Sequence, residues 1–130
     1  MKIATLHRRA CKLLNINPAK VRLIGPTEVR RLTGHGVGRN WGQAYMQHSA
    51  IYVRRGAGYD THVHELLHIL FPSRTHNWIF AAAWKLSGMT SRPGVYGYGR
   101  TRQSLATDAP ESRAKLLRLA HQSAARRELA

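Results

Sequence analysis

Acidic residues are scarce in this chain of 130 residues: six Asp and Glu stand against 21 Lys and Arg, a formal net charge of +15. So one-sided a surface disfavours cationic partners and draws polyanions, nucleic acid first, through counterion release and long-range steering. Cysteine is nearly absent. Cys11 stands alone, which excludes an internal disulfide and a zinc ribbon alike. No apolar run reaches the 18 or so residues of a membrane span, and "MKIATLHRRACKLLNINP" has no continuous apolar segment of the kind a signal peptide carries. These absences favour a cytoplasmic protein without a membrane partner. No helix pairs a lysine-rich face with large interfacial aromatics, which disfavours membrane-surface binding. A GxGxxG motif is missing too. The glycines of "TGHGVGRNWG" fall at 34, 36, 38 and 42, so that stretch reads as a flexible connection rather than a phosphate cradle.

What is present suits one soluble globular domain, monomeric by expectation, spanning 1–130. Its core is expected at about 20–90, followed by a basic loop and a C-terminal helix over 91–130. Ile3, Leu6, Ala10, Leu13 and Leu14 recur at helical spacing, and Asn15, Asn17 and Pro18 end that helix. "KVRLI" reads as a short strand and "PTEVRRL" as a helical turn. "QAYMQ" and "AIYVRR" read as two strands joined around His48 and Ser49. A helix is expected from about Asp60, the candidate cap, to Leu70, where Pro72 stops it. A second runs from about Thr75 to Ser87, ended by Gly88. The last helix is expected to start at Asp108, with Pro110 in its first turn and Glu111 completing a capping pattern. The class is α+β.

Residues 64–68 spell His-Glu-Leu-Leu-His. An α-helix turns about 100° per residue, which puts Val63, Leu66, Leu67 and Leu70 on one core-facing stripe. His64 and His68 then stand one turn apart on a neighbouring face, and Glu65 lies beside them. Two imidazoles one turn apart can share a metal ion, and the adjacent carboxylate can take a proton from a water without being a ligand. Catalytic zinc takes three protein ligands and keeps one position open. His76, opening the helix that returns after Pro72, is the natural third. His62 points to the far side, His48 has no spacing argument, and Asp108 or Glu111 are later acidic alternatives. Phe80 and Trp84 follow His76 at i+4 and i+8 and read as a core face that steadies it.

"HELLH" followed by "HNWIF" resembles the zinc-dependent proteases of the SprT-like and WLM type, with their small YgjP-like bacterial relatives. The similarity covers about 45–90. It implies a small zincin-like domain: a short antiparallel sheet packed on the active-site helix, His64, His68 and His76 holding zinc, and Glu65 as general base. It also implies that strand 50–55, as an edge strand, pairs with an extended protein or peptide substrate. Seven residues separate His68 from His76, a longer gap than in the WLM or YgjP type, and no zinc-ribbon tail follows.

The loop "RPGVYGYGRTR" is the second informative stretch. Arg92, Arg100 and Arg102 are candidate phosphate contacts, on DNA more readily than RNA. Tyr96 and Tyr98 can stack on exposed bases, cover the core edge, or stabilise an oxyanion near the metal. Three functions compete. The first is a zinc metallopeptidase working on or near nucleic acid. The second is a zinc nuclease of the YbeY type, which lacks a glutamate inside its motif. The third is a non-enzymatic basic nucleic-acid-binding domain with structural zinc, which would need a fourth protein ligand.

Overall fold

The computed structural model describes residues 2–88 and 111–130. Five α-helices and three strands are formed among them: α1 Ile3–Leu14, β1 Arg22–Ile24, α2 Pro26–Thr33, β2 Gly42–Tyr45, β3 Ala50–Val53, α3 Tyr59–Leu70, α4 His76–Ser87 and α5 Arg113–Arg126. The α+β class is as expected.

Local chemistry sets most boundaries. Asn15 ends α1 in the left-handed conformation that asparagine tolerates. Pro26 opens α2 at N1, where its missing N–H leaves no bond unmade. Thr75 caps α4, its Oγ1 accepting from the Trp78 N–H at 3.1 Å, and Gly88 ends that helix at φ 71°. Two expected caps are corrected. Gly58, not Asp60, is the N-cap of α3, and Asp60 lies buried inside the first turn. The last helix starts at Arg113, capped by Ser112, whose Oγ accepts from Lys115 N–H at 3.2 Å. Glu111 instead accepts from Trp78 Nε1 at 3.3 Å, while Asp108 and Pro110 lie outside the described residues.

The sheet has the order β1-β3-β2. It is mixed, not antiparallel as expected: β1 runs parallel to β3, with Leu23 opposite Ile51, and β2 runs antiparallel, with Ala44 opposite Ile51. A parallel neighbour needs a crossover, and the chain between β1 and β3 supplies it through α2 and β2. Strand β3 is therefore central. Both of its edges are occupied, so the expectation that 50–55 pairs with substrate is overturned. Among the described residues, the unpaired edge nearer the helix that carries His64 and His68 belongs to β2.

Strand alternation splits the interior in two. Leu23, Ala44, Ile51 and Val53 face α3 and the main core, which also takes Ala10, Cys11 and Leu14 from α1 and Leu116, Ala120 and Ala124 from α5. Ile24, Ala50, Tyr52 and Tyr45 face α2 and close over Val29. The leucine stripe of α3 is as expected, with Leu66 and Leu67 fully buried. The helix is enclosed on its other faces too, because α1, α4, α5 and the sheet surround it. Its last carbonyl, Leu70 O, accepts from Ser123 Oγ at 2.7 Å and Arg127 Nε at 3.2 Å, so α5 satisfies an orphan group at the helix end.

Candidate metal centre

Helices α3 and α4 form an antiparallel-type hairpin over the link 71–75, and this brings His76 back onto His64 and His68. His64 Nε2 lies 3.1 Å from His76 Nε2 and 3.1 Å from His68 Nε2. Candidate ligand atoms of the three residues all fall within 4.8 Å of one another. Phe80, one turn after His76, packs edge-on against both His64 and His76 at 4.5 and 4.6 Å between ring centres. It fixes the two rings as expected of a supporting aromatic.

The convergence tests whether a cation fits. A neutral imidazole nitrogen either carries a proton or a lone pair, never both. His64 Nε2 therefore cannot donate to one neighbour while accepting from the other. At most one of its two 3.1 Å contacts is a good hydrogen bond, and the arrangement leaves one nitrogen facing another unsatisfied. A single cation that takes a lone pair from each ring removes the conflict. Zn–N bonds of about 2.0–2.1 Å at tetrahedral angles set nitrogen atoms roughly 3.3 Å apart, close to the spacing seen.

Electrostatics act in the same direction. Burial, with the neighbouring His68 and His76, holds His64 well below its ordinary pKa. Burial and the His76 charge bring His68 down to about 4. Burial lowers His76 as well. All three rings are thus neutral at pH 7, the form that binds metal.

Glu65 is 6% exposed, and burial pushes its carboxyl up to about 8. A dication beside it draws the value back down. Its position depends on a residue that sequence reasoning assigned to a flexible connection. Gly42, the first residue of β2, faces Glu65 so closely that a Cβ there would sit 2.6 Å from Oε2, 2.9 Å from Cγ and 3.0 Å from Cδ. An isolated glycine entering a strand often marks such a close approach, and that signal was available in the sequence.

A cleft of about 320 Å³ opens over this centre. Asp60, Thr61, His64 and Glu65 form its floor from α3. His76, Phe80 and Trp84 line one wall, and Arg39, Trp41 and Gly42 the other. Among the described residues the triad gains no fourth acidic or thiol ligand. Glu111 is engaged with Trp78. His62 lies apart, fully buried with its ring 6.4 Å from that of His7, and His48 is exposed on the turn after β2. Tyr96, Tyr98, Arg92, Arg100 and Arg102 lie outside the described residues. No helix among the described residues is long and apolar enough to cross a membrane.

Comparison with protein-family models, with curated proteins and with solved structures returns no match.

Proposed function

We propose that this chain is a zinc-dependent metallopeptidase of SprT-like, zincin-like type. The observation that carries the reading is the convergence of three neutral imidazoles from two helices, with His64, His76 and the buried carboxylate of Glu65 lining one open cleft. Three nitrogen ligands, with no fourth protein ligand among the described residues, suit catalytic rather than structural zinc, which takes four.

Zinc supplies Lewis acidity toward the scissile carbonyl. The protein's own groups do the rest. His64, His68 and His76 would hold the ion, and Phe80 packs against the rings of His64 and His76. Glu65 takes the proton of the attacking water and delivers it to the leaving amine. Gly42 leaves the space that its carboxylate occupies. Strand β2, which begins at Gly42 against Glu65, has no second neighbour among the described residues, and an extended peptide can add to it as a further strand. A carboxylate beside the metal favours peptide hydrolysis over the nuclease alternative. The excess of 15 positive charges directs the enzyme to substrates on or near nucleic acid.

Glu65→Gln keeps the shape of the side chain and removes the base. Zinc content should match wild type while hydrolysis of an unfolded protein falls by roughly 10²–10⁴. Zinc-loaded wild type that cleaves neither unfolded protein nor itself would overturn the reading.

A further inference from the structure

We propose that the rim of the cleft formed by Arg39, Trp41, Arg54 and Arg55 is a docking site for single-stranded nucleic acid. The inference rests on the reading that the positive surface serves nucleic acid, and it assigns that contact to other residues than Arg92, Arg100 and Arg102.

Trp41 is one of two large apolar side chains that stand exposed among the described residues, at 54%. It sits at the mouth of the metal cleft, next to Arg39 and Asn40. Its backbone is anchored, because Trp41 O accepts from Arg54 N–H at 2.7 Å. The Arg54 guanidinium lies 4.8 Å from the indole centre and stacks on it. The backbone bond and the Arg54 contact thus hold Trp41 beside the start of β2 and the end of β3, while more than half of its surface remains in water. A tryptophan that served only packing would be buried, as Trp78 and Trp84 are, each 5% exposed.

Charge continues the surface. Arg39, Arg54 and Arg55 are exposed. Arg55 leads into a second cleft whose other basic residue is Lys2, with Ile3 and Leu6 in its lining. Of the acidic side chains, Glu28 is taken up by Arg22 and Arg31, and Glu65 and Asp60 are buried. A basic track thus passes an exposed aromatic and reaches the candidate centre.

A flat indole with one guanidinium on it and further exposed arginines nearby matches the chemistry of an unpaired base with its phosphates. Stacking takes the base face and arginines take the backbone. Duplex nucleic acid hides its base faces, and an acidic peptide has none, so both fit the arginines but not Trp41.

The test uses full-length Glu65→Gln protein, so that cleavage cannot disturb binding, and a labelled mixed-sequence DNA 12-mer read by fluorescence anisotropy. The single strand should bind more tightly than the same sequence as duplex or a poly-glutamate peptide. Trp41→Ala should weaken single-strand binding roughly 5- to 150-fold, the worth of one base stack, and Trp41→Phe should restore most of it. Arg39→Ala with Arg55→Ala should flatten the salt slope by about 1.4, two phosphate contacts on a single strand. Single-strand binding that Trp41→Ala leaves unchanged would overturn this site while the nucleic-acid reading stands. Equal binding of duplex or poly-glutamate would overturn the stacking argument. No binding at low salt would sink both, and cleavage of unfolded protein by zinc-loaded wild type would still report separately on the peptidase.

Discussion

Replacing Gly42 with alanine places a methyl carbon 2.6 Å from Glu65 Oε2 and 2.9 Å from Cγ. Non-bonded carbon contacts settle near 3.5–4.0 Å, so the carboxylate must move by about 1 Å. The backbone gives no separate penalty, since Gly42 is not among the residues with positive φ. The whole effect therefore falls on Glu65. A displacement of about 1 Å in a catalytic group costs on the order of 10²-fold in rate. Initial rates on an unfolded protein, with zinc content measured in parallel, should show kcat down by about that factor and the metal retained. Glu65→Asp withdraws the carboxylate by one methylene, so the double variant should be no slower than Glu65→Asp alone. That non-additivity is the signature of contact. Gly42→Ala within threefold of wild type, or losses that simply multiply in the double variant, would refute the argument.

The remaining expectations concern metal, pH and a buried ring. His64→Ala, His68→Ala and His76→Ala should each lose most bound zinc by metal analysis, and full occupancy in His76→Ala would remove it from the site. For metal-free protein, His62 and His68 are held at about 4, and His7, His64 and His76 are also lowered, all chiefly by burial. The unfolded chain binds those protons from about pH 6.5 downward and the folded chain does not, so stability falls as pH drops from about 6.5 to about 4. Glu65 has the opposite sign: raised to about 8, it loses stability as pH rises from about 4.5 to about 8. Five histidines outweigh one carboxyl below pH 6.5, so the metal-free melting temperature should peak near there and zinc should abolish the alkaline decline. A metal-free melting temperature that climbs steadily to pH 8.5 would contradict this. His62→Leu removes two ring nitrogens that have no hydrogen-bond partner among the described residues. At about 1–3 kcal/mol for such an orphaned group, calorimetry should show a higher melting temperature, and a clear drop would mean the ring has a structural partner.

The parts of the molecule that could be read from sequence are those set by local chemistry. The stripe Val63, Leu66, Leu67, Leu70 and the pair His64 and His68 follow from helical period alone. His76 needed only Pro72 to turn the chain and Thr75 to restart it. The order of the sheet was less accessible. Strand 50–53 is rich in β-branched and aromatic residues, yet nothing in it says which neighbours it has, so an edge strand was expected where a central one is found. Gly42 was overlooked because its neighbours at 34, 36 and 38 made a loop the simpler reading. The burial of His62 depends on α1 packing against α3, a contact between elements some fifty residues apart that no local period reveals.

The tie between the end of α4 and the start of α5 carries a consequence for how this molecule can change. Lys85 Nζ donates to Glu111 O at 2.9 Å, and the Arg113 guanidinium donates to Leu86 O at 3.3 Å. The end of α4 and the start of α5 are thereby held together directly, each through a long basic side chain on a backbone carbonyl of the other segment. The histidine hairpin is therefore braced from outside itself: the segment that carries α5 fastens the end of α4 and, at Leu70 O, the end of α3, so a change in how α5 packs would reach His64, His68 and His76 through both helices at once.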